Sequence, residues 1–246
     1  MTIITLKELK KFEDFLNDNI NRNEYKYKFL VYFLDTLFVQ QKGVIKQNSS
    51  IIWNGDNWAI FIETNKELLF YCKYYERIFA DKILEQLDLN QHLGKEIVGD
   101  YDLIYELLRK NKIKNFKVIK DRLFYKTETV NKISNSKHEI ASEFDLEKVI
   151  QLYQEYYKEE YKGARNKTKD NLYSKILRDL KNKRIYIIKD DGEIVAFCSI
   201  NNPDIGIMFT DKKNRKLGYS KQLLSIATER LLSGNLVAYV MTDMHN

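Results

Sequence analysis

The hydrophobic pattern of this chain passes twice through one succession of elements, and that repetition constrains the fold more than any single residue does. Residues 6–16 and 25–40 carry apolar side chains at helical spacing, and three strand-like runs follow at 50–53, 58–63 and 68–72. Asn54-Gly55-Asp56-Asn57 separates the first two runs and reads as a hairpin turn; Thr64-Asn65-Lys66 separates the second from the third. A helix over 77–87, a short strand over 96–98, a helix over 101–109 and a strand over 116–127 complete this half. The polar stretch 131–137 marks the expected boundary.

The second half repeats the order. Residues 138–144 read as a strand, and Asp145 is placed to cap a helix with Leu146, Val149, Ile150, Tyr153, Tyr156 and Tyr157 on one face. A helix over 169–181 turns Leu172, Ile176, Leu177 and Leu180 inward. Strands over 184–189 and 193–200 form a hairpin across Asp190-Asp191-Gly192, and 204–210 is a third strand. A helix over 218–232 buries Leu223, Leu224, Ala227 and Leu231 and stops at Gly234, before a strand over 236–241. The halves share element order and almost no residue identity. A duplicated lobe and a chance succession in one α+β protein both fit that observation.

Composition narrows the setting. One proline and nine glycines in 246 residues, with 44% apolar and 31% charged side chains, describe a globular chain filled with secondary structure. Forty-one Lys and Arg against 35 Asp and Glu give a net charge of +6, interleaved along the whole length. The excess suits an anionic ligand; a nucleic-acid partner is the less favoured reading, because the bases are not gathered in one stretch. The apolar run 29–34 is far below the ~20 residues of a spanning helix, so no membrane partner is expected. Lys7, Glu8, Lys10, Lys11, Glu13 and Asp14 interrupt the start, which excludes a secretory signal there and points to the cytoplasm. Cys72 and Cys198 lie in strand-like apolar runs, as buried reduced thiols do. His92, His138 and His245 are too scattered for a zinc motif, and no metal site is expected.

The chemistry concentrates in residues 205–220: a buried strand, a polar turn and the first turn of an amphipathic helix. The first amides of a helix lack internal partners and, with the helix dipole, favour an anion. Gly218 and the small Ser220 leave the backbone unshielded, while Lys212, Lys213, Arg215 and Lys216 add positive charge.

Arg215-x-x-Gly218-x-Ser220 resembles the Gln/Arg-x-x-Gly-x-Gly/Ala signature of the GNAT superfamily of acyl-CoA-dependent N-acyltransferases. Met208-Phe209-Thr210 is similar to that family's acyl-CoA strand, and Gly192-Glu193-Ile194-Val195-Ala196-Phe197 to the second strand of its hairpin. The likeness covers residues 137–246. It departs at Ser220, where Gly or Ala is usual, and at Lys216-Leu217, where Gly-Lys is common. The resemblance implies an α+β, three-layer fold: a mixed, mostly antiparallel sheet flanked by helices, in two tandem lobes. Residues 1–130 would be a degenerate lobe and 137–246 the acetyltransferase domain.

The resemblance further implies an acetyl-CoA-dependent N-acetyltransferase acting on a small-molecule or peptide amine. Met208, Phe209 and Thr210 would lie beside the pantetheine arm, and Arg215, Lys216, Leu217, Gly218, Tyr219 and Ser220 would hold the pyrophosphate. No residue takes the role of the family's usual thiolate-protonating Tyr, because the chain stops where its helix would begin. Asp204, Asp243 and His245 are nominated as bases, each with a plain turn or tail role as the alternative. Tyr153, Tyr156, Tyr157 and Tyr161 read as core and rim of the helix over the acceptor site. Where the first half would carry the phosphate turn, 74–80 offers no glycine and places Glu76 instead.

The family pattern calls for a further helix and strand after 236–241. Their absence leads to the expectation of a truncated domain, a bare strand edge and self-association through it. A catalytically inactive acyl-CoA-binding fragment and a basic nucleic-acid-binding protein are the alternative functions.

Overall fold

The computed structural model describes residues 1–22, 24–40, 49–131, 138–163, 165–235 and 237–243, with backbone alone over 36–40. The chain forms two compact units, Met1–Lys117 and Val118–Asn246.

In the first unit, strand β1 (Thr2–Thr5) leads into helices α1 (Leu9–Asn19) and α2 (Lys28–Gln40), then the meander β2 (Ser50–Asn54), β3 (Asn57–Glu63) and β4 (Glu67–Cys72). Helix α3 (Arg77–Leu84), strand β5 (Glu96–Gly99) and helix α4 (Tyr101–Lys110) follow. The sheet order is β1-β2-β3-β4-β5, antiparallel except for the parallel pair β4/β5. All of β3 is buried, which explains why its sequence does not alternate: both faces are covered. Phe12, Phe15, Leu16 and Leu30 of α1 and α2 pack on Trp58, Ile60 and Ile62. Phe79 and Ile83 of α3 and Leu103 and Leu107 of α4 pack on Ala59, Phe61 and Phe70 from the other side.

The second unit contains strand β6 (Arg122–Thr127), a short β7 (Glu139–Ile140), helices α5 (Leu146–Glu160) and α6 (Lys169–Lys181), and strands β8 (Ile185–Asp190), β9 (Glu193–Asn201) and β10 (Asp204–Thr210). Helix α7 (Tyr219–Leu232) and strand β11 (Ala238–Asp243) end it. Its sheet order is β6-β11-β10-β9-β8-β7, with β10/β11 the parallel pair. Val149, Tyr153 and Ile176 from α5 and α6 cover Ile187, Phe197 and Phe209 on one face. Leu223, Ala227 and Leu231 of α7 cover Ile188, Cys198 and Ile205 on the other. Each unit is thus a sheet between two helical layers, and the mixed α+β class with tandem lobes is what the structure has.

The structure departs from the sequence expectations at four places. Strand β1 was not anticipated. The strand over 138–144 shrinks to Glu139–Ile140, because Ser142 and Asp145 form a capping box that turns the chain into α5. The strand over 116–127 is Arg122–Thr127, and it joins the second sheet, pairing with β11 from Ala238↔Thr127 to Asp243↔Arg122. The division between units therefore falls at Lys117/Val118 and not after residue 130; residues 132–137 of the polar stretch lie outside the described residues.

The fourth departure follows from the third. β11 spans Ala238–Asp243 where 236–241 was expected, Leu236 lying outside the described residues, and its outer edge is bonded to β6. The expectation of a bare edge is overturned: the N–H and C=O groups on that edge find partners within the unit, which removes the ground on which self-association through it was expected. Among the described residues, no helix is long and apolar enough to cross a membrane.

Candidate functional site

Strand β10 has two unlike edges. Toward β9 it pairs along its length, with Met208, Phe209 and Thr210 opposite Cys198, Phe197 and Ala196. Toward β11 it pairs at Asp204↔Tyr239 and Ile205↔Val240 alone. Beyond Val240, β11 continues through Met241 to Asp243 against β6 while β10 runs on to Thr210. The parallel strands part, and backbone groups of β10 on that edge have no strand partner among the described residues.

A bulge lies at the point of parting, with the β9/β10 register shifting between Ile205 and Met208. Ser199 Oγ accepts from the Ile207 amide at 2.9 Å and donates to the Ile207 carbonyl at 3.3 Å. A Cβ at residue 206 would stand 2.5 Å from Ser199 Oγ and 2.8 Å from Asn201 Nδ2, so any larger residue would have to displace those side chains.

From Thr210 the chain enters the charged turn. The Asp211 amide donates to the Val195 carbonyl at 2.8 Å, fixing the strand exit, and the Asp211 carboxylate accepts from the Lys213 amide over a short 3-10 turn, Lys212–Asn214. Lys216 and Gly218 both take positive φ, +66° and +84°. Gly218 is the N-cap of α7 and supplies no capping side chain, so no side chain satisfies the first amides of this 14-residue helix at the cap. An anion on these amides would meet exposed N–H groups, the positive end of the dipole and the lysines around them. Thr210 Oγ1 and Ser220 Oγ hydrogen-bond at 2.8 Å and tie the strand end to the first helical turn. Tyr219 donates its hydroxyl to Asp190 at 2.9 Å, and that bond holds its phenol above the ordinary value.

Arg215 is not aimed into this cradle. Its guanidinium forms two contacts with Glu159 of α5, at 2.8 and 2.9 Å, donates from Nε to the Thr210 carbonyl at 3.1 Å, and lies 5.4 Å over the Phe209 ring. It clamps the turn onto α5. The Arg215 hydrogen bond holds the Glu159 carboxyl below its ordinary value, with Lys212 adding attraction at 3.6 Å. Sequence reasoning missed Glu159, which stands 56 positions away from its partner.

The aromatic face of α5 divides. Tyr153 is core, stacked on Phe197 at 4.5 Å. Tyr156 sets its edge against Phe209 of β10 at 6.4 Å, and Tyr157 and Tyr161 stack at 5.9 Å. Burial pushes the Tyr156 and Tyr157 phenols up, so both are protonated at neutral pH. Asp204 lies at the closed end of the β10/β11 split, opposite Tyr239, away from the charged turn. Asp243 ends β11 at the open side, accepting from Lys120 at 2.8 Å. His245 lies outside the described residues. Cys72 and Cys198 are buried, and burial pushes both thiols up to about 12, which removes them as thiolate nucleophiles.

No family model matches the sequence, and no curated protein does. Solved structures do match in fold. An acetyltransferase of the GNAT family from Colwellia psychrerythraea superposes with a TM-score of 0.57 at 14% identity, covering 100% of this chain and 91% of its own. A GCN5-related N-acetyltransferase from Sphaerobacter thermophilus gives 0.53 at 12% identity, covering 93% of this chain and 80% of its own. The fold is that of the GNAT superfamily; at such identity the likeness carries the fold alone.

Proposed function

We propose that the second unit binds acyl-CoA and transfers an acetyl group from it to an amine. The observation that carries this reading is the parting of β10 and β11 after Val240, which leaves a strand edge with unpaired backbone groups leading directly into a helix start without a capping side chain. Within Met208, Phe209 and Thr210, the backbone groups that face away from β9 suit the amides of a pantetheine arm as a neighbouring strand would, the Thr210 carbonyl being held by Arg215 Nε. The amides of Arg215, Lys216, Leu217, Gly218, Tyr219 and Ser220 suit the pyrophosphate. The shared GNAT fold supports the same reading.

The cofactor supplies the acyl group as a thioester. The amine nitrogen bonds to the acyl carbon, the C–S bond breaks, and the proton given up by the amine ends on the departing thiolate, so amide and free thiol balance amine and thioester. The chain's contribution is to hold both reactants in register and to offer backbone donors where charge develops on the carbonyl oxygen. Titrating the protein with acetyl-CoA in a calorimeter tests it. Saturable binding that brings a rise in melting temperature, together with thiol release in the presence of primary amines, is the expected result. Neither heat nor a melting shift at millimolar acetyl-CoA would overturn it.

A further inference from the structure

In the first unit, the outward face of α4 carries aromatic rings where a surface helix ordinarily carries polar groups. Tyr101 and Tyr105 stand one helical turn apart and stack with their centres 6.0 Å apart and their planes at 11°, yet they are 62% and 53% exposed. Tyr75, just before α3, is 41% exposed and lies beside the same helix. Burial and the Glu106 carboxylate hold its phenol above the ordinary value, against the pull of Arg77 and Arg109. Exposed rings gathered on one face, rather than scattered singly, mark a contact surface.

The charge around these rings is positive on its outer side. Arg109, one turn beyond Tyr105, donates twice to Glu106 at 2.6 Å, and Arg77 reaches the same carboxylate at 3.3 Å, so two guanidiniums share one acid. The Glu106 side chain is 11% exposed and the arginines 52% and 70%, which turns the acid inward and the bases outward. The chain then leaves α4 through Lys112, Ile113 and Lys114. The Ile113 amide donates to the Leu108 carbonyl at 3.0 Å and its side chain packs on the core beneath α3 and α4, which ties this segment to the helix end. Lys112 and Lys114, on either side of it, are exposed, and neither has an ion-pair partner among the described residues. The excess of base is therefore one-sided here: residues 109–117 carry Arg109, Lys110, Lys112, Lys114 and Lys117 and no acid. Asp102, in the first turn of α4, stands at the opposite end of the helix from them.

We infer that this face binds a single-stranded nucleic acid, its bases stacking on Tyr101, Tyr105 and Tyr75 and its phosphates meeting Arg77, Arg109, Lys112 and Lys114. A polymer that alternates planar rings with anions is what rings interleaved with outward bases recognise. A duplex hides the faces of its bases in its own stack and would use the charges alone. A second copy of the chain docked here about a two-fold axis would crowd the basic segment against itself. The surface lies in the unit that lacks the Gly218 turn, and the inference does not depend on the acetyl-transfer reading.

The test is fluorescence anisotropy of the full chain with a labelled oligothymidylate of about twelve nucleotides, within the range one such surface covers, repeated across salt concentrations. Binding should fall with salt, and Lys112→Ala and Lys114→Ala should each reduce the slope of log affinity against log salt by about 0.7, the share of one phosphate contact on a single strand. Tyr101→Ala and Tyr105→Ala should each weaken binding by about tenfold with the slope unchanged. Tyr105→Phe, which keeps the ring and loses the hydroxyl, should bind as the wild type does. The urea midpoint read by tryptophan fluorescence checks the fold of each variant, and the lysine variants still decide the matter if a tyrosine variant unfolds. No saturable binding at about 50 mM salt would overturn the inference. Equal affinity for a duplex of the same length, untouched by the tyrosine variants, would also overturn it and leave a plain polyanion surface. Self-association of the wild type that Tyr101→Ala abolishes, without oligonucleotide binding, would assign the face to a second copy instead.

Discussion

In the first unit the parallel pair β4/β5 is bonded from Glu67↔Glu96 through Phe70↔Gly99, whereas in the second β10/β11 is paired over two positions and then parts. Strands β7 to β11 repeat the order and direction of β1 to β5, and the second sheet adds β6 on the outer edge of β11. Side chains differ as well. Past β5, the Asp100 amide donates to the Phe70 carbonyl at 2.8 Å, and the Asp100 carboxylate accepts the Cys72 amide at 2.6 Å. Lys26 reaches across to the Cys72 and Lys73 carbonyls at 2.7 and 3.1 Å. Every group that a strand-like ligand could use at that end is already bonded. The helix starts differ in the same sense. Glu76 stands at the N-cap of the eight-residue α3, its carboxylate accepting from the Asn57 side chain and making no capping bond, where Gly218 at the N-cap of α7 carries no side chain. A carboxylate at a helix start repels an anion that the helix amides would otherwise attract. In the first unit this strand end is thus closed by Asp100 and Lys26, with Glu76 at the helix start, where the second unit has Gly218.

The largest effect expected from breaking this contrast is at Gly99. Its φ is +146°, and a Cβ would stand 1.7 Å from the Phe70 carbonyl oxygen, a backbone atom that cannot turn aside. Gly99→Ala should force β5 off β4 and destabilise the first unit by about 3 kcal/mol or more. Trp53 and Trp58, the chain's two tryptophans, both lie in the first unit, so tryptophan fluorescence in a urea titration reads that unit by itself. An unchanged midpoint would show that the seal is not where these contacts place it.

Gly218→Asp is the opposite experiment, giving the second unit the acid that the first carries. At a concentration 100 times the dissociation constant, acetyl-CoA should stabilise the wild-type protein by about 2.7 kcal/mol, and the variant should lose that response. No Cβ clash confuses the result, because nothing lies within 4 Å of a Cβ built at 218; the cost of φ +84° is a conformational one, read in the ligand-free melt. An unchanged acetyl-CoA response in this variant would overturn the assignment of the pyrophosphate to this turn. Arg215→Ala should do less. It removes the clamp on Glu159 and Phe209 but no phosphate-facing amide, so acetyl-CoA affinity should fall about tenfold in calorimetry. A complete loss would mean that Arg215 leaves Glu159 for the ligand.

What the sequence discloses follows from the range of the interaction that decides each feature. Helix α6 over 169–181 and strand β10 over 204–210 are legible to the residue, because a capping Thr168, strong periodicity and flanking turns are all local. Gly55 and the pair Asp191-Gly192 take the positive φ that their hairpins require. Strand β1 is four residues long and gains its identity from β2, some 45 positions on, so no local pattern announces it. The residues of β6 read correctly as a strand, but nothing in them says which sheet they join; that depends on the edge of β11, more than a hundred residues later. The same holds within the site. The Gly218 turn is local and was legible, whereas Glu159 and Arg215 are joined only by folding.

The smallest effect compares two glutamates that each grip an arginine. Glu106 holds Arg109 one turn away on α4, and Glu159 holds Arg215 across the second unit; in each case the arginine's hydrogen bond keeps the carboxyl below its ordinary value of 4.5. A carboxyl depressed in the folded state contributes stability that is fully present above its unfolded value and is lost as pH falls through the folded one. The window for both therefore opens below about pH 4.5, and nothing should change between neutrality and that point. Glu159 and Arg215 are each 39% exposed, so solvent screening limits the pair to about 0.5 kcal/mol or less. Glu159→Gln cannot titrate, and the variant should lose less stability than wild type between about pH 6 and about pH 3.5 in urea titrations followed by far-ultraviolet circular dichroism. Glu106→Gln should flatten the acid limb seen by tryptophan fluorescence instead. The two differ in reach: Glu106→Gln should leave acetyl-CoA affinity as it was, since its partner lies within one helix, while Glu159→Gln should weaken it less than Arg215→Ala does, since glutamine can still accept one of the two bonds. Equal acetyl-CoA affinity in Glu159→Gln and wild type would detach the α5 clamp from the binding turn and leave Gly218 to shape it alone.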